Sequence, residues 1–169
     1  MNTDFHDYFM RLALREADKA AAASEVPTGC VIIAAPGEDE PVRPVAVKVI
    51  GRAHNQTESL KDPTAHAEMI AITQAAAALG DFRLTGTVLY VTKEPCAMCA
   101  GAIILARIPT VVYGVTDPQR GGQSVFHILN HPALIHRAEI VEGILASDCR
   151  ERLQAFFRIR RDSVRSPSL

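Results

Sequence analysis

Short apolar strand patterns alternate with helical ones along most of this chain, and that alternation constrains the fold more than any other feature. Such an order argues for one α/β domain whose sheet is covered by helices on both faces. Phe5, Tyr8, Phe9, Leu12 and Glu16 recur at three- and four-residue spacing, and an Ala-rich run follows them, so residues 4–23 read as a helix. Val26-Pro27-Thr28-Gly29 breaks it. Strands are expected at 30–35 and 45–53, antiparallel to each other, and at 87–92, 109–115 and 138–141. Prolines and clustered acids make 36–41 a loop. Further helices are expected at 65–78, with Thr64 as cap, at 95–107 and at 145–161. A short helix is expected at 124–129, after a flexible turn at 119–123.

Composition agrees with one core. The chain has 169 residues, the size of an ordinary domain, and 48% hydrophobic residues exclude the disordered class. Residues 1–161 are expected to form a single domain and 162–169 a short polar tail. No apolar run approaches a membrane span, so no membrane partner is expected. Residues 1–7 show neither the basic nor the apolar stretch of a secretory signal. Four cysteines, two of them in Cys-x-x-Cys, read as metal-binding or redox chemistry in a reducing compartment, and a cytoplasmic location is expected. The net charge is −1, yet six arginines and two acids give residues 150–169 a local charge of +4. Charge alone makes that stretch a solvated helix end, where cations suit the dipole.

The chemistry gathers in two short motifs. His66-Ala67-Glu68 opens one predicted helix, and Pro95-Cys96-Ala97-Met98-Cys99 opens another just after a strand. Imidazole and thiolates suit zinc, and a catalytic zinc keeps three protein ligands and leaves a fourth position open. A thiolate near a helix N-terminus is stabilised by the dipole and free N–H groups. Cys96 and Cys99 share a helix face, and Pro95 pre-sets the first turn. Glu68 lies two residues from His66, a spacing that points helical side chains apart, so it is read as a proton carrier beside the open position and not as a ligand. Cys-x-x-Cys alone also describes a redox pair or half of a structural zinc site. Cys30, in a strand, and Cys149, in the last helix, are read as buried structural thiols. His6 is expected to be exposed at the terminus, and His127, His131 and His136 receive no ligand role.

At these residues the chain resembles the cytidine-deaminase superfamily, and within it the tRNA-specific adenosine deaminases. The likeness runs from about 9 to 161. It includes Glu25-Val26-Pro27-x-Gly29, Asn55, Asp62-Pro63-Thr64-Ala65-His66-Ala67-Glu68, Glu94-Pro95-Cys96-x-Met98-Cys99, Val111-Val112-Tyr113-Gly114 and Phe156-Phe157-Arg158-x-Arg160-Arg161. The resemblance implies a three-layer α/β/α fold with a five-stranded mixed sheet, a homodimer, and one Zn²⁺ per subunit held by His66, Cys96 and Cys99. It implies Glu68 as the catalytic acid and base. Asn55, Ala67, Asp117, Phe157 and Arg160 become substrate-binding positions toward a flipped adenine in a tRNA anticodon loop, which is deaminated to inosine. Arginines and a phenylalanine beside RNA give phosphate contacts and a stacking face. Core packing is the reading for Phe156, while Phe157 divides between core and RNA. The chain departs from the family's pattern in a longer acidic loop at 36–44, in His54 and Gln56 around Asn55, and in lacking a basic residue two positions past Asp117. A deaminase of free guanine or cytosine shares every zinc-site residue. A non-catalytic zinc subunit would leave Glu68 without a role, and a plain redox protein would leave His66-Ala67-Glu68 without one.

Overall fold

Alternate residues of the central strands face opposite helical layers. In the computed structural model, which describes residues 1–35 and 43–165, five strands form one sheet in the order β2-β1-β3-β4-β5. They are β1 (Gly29–Ala34), β2 (Val49–His54), β3 (Thr87–Lys93), β4 (Thr110–Val115) and β5 (Glu139–Glu142). β1 runs antiparallel to β2 and β3, whereas β3, β4 and β5 are parallel, so the sheet is mixed. Cys30, Ile32, Leu89, Val91 and Val111 pack on one face against α3 (Ala67–Leu79) and α4 (Ala97–Leu105). Val31, Ile33, Val88, Tyr90 and Val112 pack on the other against α1 (Thr3–Ala22) and the start of α5 (Ala146–Arg165). The expected three-layer α/β/α arrangement with a five-stranded mixed sheet is therefore observed, and the period-2 alternation of apolar residues is its cause.

The helices pack close because small residues allow it. Ala13 and Ala17 of α1 lie so near β1 that a side chain at Gly29 would collide with their backbone. Asn2 caps α1, its Oδ1 accepting from the Phe5 N–H at 3.0 Å. α4 links β3 to its parallel neighbour β4, the usual crossover unit.

Several sequence expectations change. His6 is buried, with Nδ1 3.0 Å from the Tyr90 hydroxyl, because α1 begins at Thr3 and carries it onto the sheet. β2 begins at Val49, since a 3₁₀ turn at Pro44–Ala46 occupies part of the span expected to be strand. Residues 124–129 form turns and no helix. A short helix, α2 (Thr57–Leu60), follows β2. α5 continues through residues expected in the polar tail, and 166–169 lie outside the described residues, as does 36–42 of the acidic loop.

Candidate active site

Two helix starts meet beside the sheet. His66 is the N-cap residue of α3 and Cys96 the N-cap residue of α4, each with extended backbone. Thr64 does not cap α3. Its N–H and hydroxyl both donate to Asp62 Oδ1, at 2.8 and 2.7 Å, and this turn feeds the chain into His66. Cys99 lies in the first turn of α4, where the three-residue spacing returns it to the side of Cys96.

His66 Nδ1 stands 3.7 Å from Cys96 Sγ and 3.5 Å from Cys99 Sγ, and the three atoms lie within 4.8 Å of one another. Tetrahedral zinc with ordinary Zn–S and Zn–N lengths requires an S···N edge of about 3.6 Å. Both S···N edges of the trio therefore match one zinc ion. The Cys99 thiol and, against burial, His66 hold Cys96 down at about 3, while Cys96 and burial push Cys99 up. His66 is raised by the Cys96 sulfur beside it. A bound cation displaces the protons this trio retains.

Glu68 lies one helical step beyond these ligands and lines the same cavity. It is 3% exposed, and its Oε2 is buried with no hydrogen-bond partner. Burial pushes its carboxyl above the ordinary range, against the pull of its own backbone N–H and His66. An orphaned buried carboxylate oxygen is costly, and such atoms concentrate where a reaction partner will satisfy them. Asn55, at the end of β2, accepts the Ala67 N–H on Oδ1 at 2.9 Å. This bond ties the edge of the sheet to the first turn of α3 and leaves the Asn55 amide N–H groups for the cavity.

The rim is organised by Glu94, a residue to which sequence reasoning assigned no role. Its Oε1 accepts from the Gln123 and Ser124 N–H groups at 3.1 and 2.6 Å, and its Oε2 from the Asp117 N–H at 2.7 Å and the Ser124 hydroxyl at 2.9 Å. The turn expected to be flexible is thus fastened to the residue before Pro95. Gly122 completes the seam. Its N–H donates to the Pro95 carbonyl at 2.7 Å, and a Cβ there would approach the Cys96 carbonyl to 2.9 Å. Asp117 lines the cavity. Burial raises its carboxyl, but Lys93 and the Gln119 and Arg120 N–H groups bring it below the usual range.

The cavity measures about 260 Å³ and includes Asn55, His66, Glu68, Cys96, Asp117 and Phe157 among its walls. Phe157 is 43% exposed at the mouth, whereas Phe156 is buried as expected. Arg160 is not a wall of this cavity. Its guanidinium sits 5.7 Å over the Phe156 ring and 3.8 Å from Glu58. Ala67 is fully buried and takes part through its backbone. His136 Nε2 donates to the Ile108 carbonyl at 2.8 Å, and Cys30 and Cys149 are buried, in line with structural roles.

A His and two Cys arranged for zinc at paired helix starts, with a buried carboxylate alongside on a mixed sheet, define a zinc-dependent hydrolytic enzyme of the deaminase class. The family model for the cytidine and deoxycytidylate deaminase zinc-binding region matches residues 3–115, and the chain belongs to that family. A tRNA-specific adenosine deaminase of Streptococcus pyogenes is 46% identical over 156 residues, covering 92% of this chain and 91% of the relative. One of Bacillus subtilis is 41% identical over 153 residues, covering 90% and 88%. A solved structure from work on A-to-I editing by tRNA deaminases at the wobble position superposes with a TM-score of 0.77 at 41% identity, covering 86% of this chain and 99% of that one.

Proposed function

We propose that this protein hydrolyses the 6-amino group of the wobble adenosine in a tRNA anticodon, releasing inosine and ammonia. The observation that carries the reading is one cavity that joins His66, Cys96 and Cys99 to the unpartnered Oε2 of Glu68. The naming of the relatives as tRNA-specific adenosine deaminases supports the substrate.

His66, Cys96 and Cys99 hold the zinc, which supplies a Lewis acid that makes water nucleophilic near neutral pH. Glu68 does the proton work. Its Oε2 accepts a proton from the attacking water and passes it to the adenine ring as oxygen bonds to C6. Glu68 then takes the remaining proton of the new C6 hydroxyl and delivers it to the amino nitrogen, the C6–N bond breaks, ammonia leaves, and the C6 oxygen becomes the carbonyl of inosine. Burial suits Glu68 to this exchange, since it raises the carboxyl toward the pH at which the enzyme works. Asn55 offers its amide N–H groups to the base, and the Ala67 bond keeps it in that orientation. For the adenine to reach Glu68 in this cavity the nucleotide must leave the stack, which a splayed anticodon loop makes easy.

Phe157 gives a stacking face at the mouth. Its other side borders a groove lined by Arg150, Arg158 and Arg161, a cationic track for RNA phosphates. Arg160, exposed on the same helix and 3.8 Å from Glu58, adds a further cation toward the RNA. The protein forms a homodimer. α4 is apolar on every side, and Leu105, Phe126, Leu134 and Ile135 stay exposed on α4 and in the segment after β4, where a second copy covers them. Four free thiols suit a reducing cytoplasm, and no helix among the described residues is long and apolar enough to cross a membrane.

The test is a substrate panel. Zinc-loaded protein is mixed with an anticodon stem-loop carrying a wobble adenosine and, separately, with guanine, cytosine, adenosine and cytidine. Inosine at the wobble position with inert free bases supports the reading. Turnover of a free base with inert RNA overturns the tRNA assignment.

A further inference from the structure

The cavity wall includes three acids, Glu68, Glu94 and Asp117, and two bases, Lys93 and Arg120. Glu94 has all its hydrogen-bonding directions engaged within the protein. Asp117 is nearly so. Its Oδ1 accepts the Gln119 and Arg120 N–H groups at 3.1 Å each, and its Oδ2 meets Lys93 Nζ at 2.6 Å. Little of Asp117 is left for a ligand, and its side chain is only 13% exposed. The Lys93 side chain is 34% exposed, and an ammonium has three N–H donors, of which Asp117 occupies one.

Lys93 also stands on rigid ground. It is the last residue of β3, in register with Val115 of β4, at the carboxyl ends of the parallel strands. Its pairing with Asp117 fixes the head of an otherwise mobile side chain. We propose that Lys93 is a substrate contact that grips a backbone phosphate next to the base held in the cavity, and that Asp117 orients Lys93 for this task. The inference rests on the reading that the substrate is a polynucleotide. The small cavity takes the base, so phosphates lie at the mouth, where Asp117 alone would repel them. An ammonium binds phosphate as a point charge without the planar match an arginine needs. Because a free base has no phosphate, this contact favours RNA over free bases.

The experiment compares the zinc-loaded wild type with Lys93→Met on the anticodon stem-loop, and on versions in which each phosphate flanking the target adenosine is a neutral methylphosphonate. Lys93→Gln replaces Lys93→Met if the latter does not fold by its melting curve. The expected variant raises KM for RNA about tenfold with kcat nearly unchanged. Its slope of log Kd against log salt becomes shallower by about 0.7, the value for one single-strand phosphate. One methylphosphonate weakens wild-type binding by about the same tenfold factor and leaves the variant unaffected, and Lys93→Arg restores much of the salt slope. An unchanged slope together with an equal methylphosphonate penalty in the variant overturns the proposal. A wild type inert on the unmodified stem-loop overturns the polynucleotide reading itself, a distinct outcome.

Discussion

Glu68 on the cavity floor and Glu94 on its rim are both 3% exposed and line the same space, yet they stand in opposite relations to their surroundings. Glu94 accepts four hydrogen bonds and closes the segment from Asp117 to Ser124 over the start of α4. Glu68 keeps one oxygen buried and unpartnered. Burial alone therefore says little about what a carboxylate does. Saturated hydrogen bonding marks a structural part, because every partner depends on the charge staying in place. Idle hydrogen-bonding capacity marks a group kept for a reacting molecule. The floor is built to leave one position open, and the rim is built to leave none.

The largest effect falls on the floor. Cys99→Ala removes one of three zinc ligands, so metal content measured by atomic emission drops from one per chain to near zero and deamination falls to background. Retention of stoichiometric zinc would break the account of the floor. On the rim, Glu94→Gln turns an NH₂ group toward backbone N–H donors and strips them of an acceptor. A loss of about 3 kcal/mol is expected, a fall in Tm of roughly 6–12 °C, with zinc retained. Hydrogen exchange at Gln123 and Ser124 should accelerate. An unchanged Tm would show that the rim is not held as described.

Glu25 sharpens the comparison because it resembles Glu94 without bordering the cavity. It is fully buried and accepts the Ser59 N–H and hydroxyl at 2.7 and 2.8 Å, the Thr57 hydroxyl at 3.0 Å and the Glu58 N–H at 3.1 Å. Burial pushes its carboxyl up, but these bonds bring it down from 4.5 to about 2. A carboxyl depressed in the folded state stabilises fully above its unfolded pKa, and that contribution is lost as pH falls through the folded pKa. Wild-type stability should therefore decline between pH 4.5 and pH 2. Glu25→Gln, less stable at pH 7, should show a flatter profile across that window in denaturant titrations. Parallel profiles would contradict the role given to Glu25.

Much of this was legible in the sequence. The apolar strands and their alternation gave both faces of the sheet, and the two motifs gave the zinc trio and Glu68, because metal ligands and helix starts carry local signals. The rim was not legible. Glu94 acts through backbone N–H groups at 117, 123 and 124, which every residue type but proline possesses, so no side-chain pattern announces them. Lys93 and Asp117 meet only because β3 and β4 pair in parallel register. His6 looked terminal because its burial depends on Tyr90, reached through a sheet contact distant in sequence. The resemblance gave Arg160 to RNA, and no sequence pattern showed that its exposed guanidinium would also lie beside Glu58 and the Phe156 ring, since both neighbours are set by the packing of α5.

The central claim is that Glu68 moves the protons of the reaction. Single-turnover deamination of the wobble stem-loop by Glu68→Gln, with zinc content and RNA affinity measured on the same sample, tests it directly. The account predicts one zinc per chain, RNA affinity close to wild type and a chemical step slowed by about 10²–10⁴-fold. Turnover within a fewfold of wild type, with zinc and RNA still bound, would contradict it.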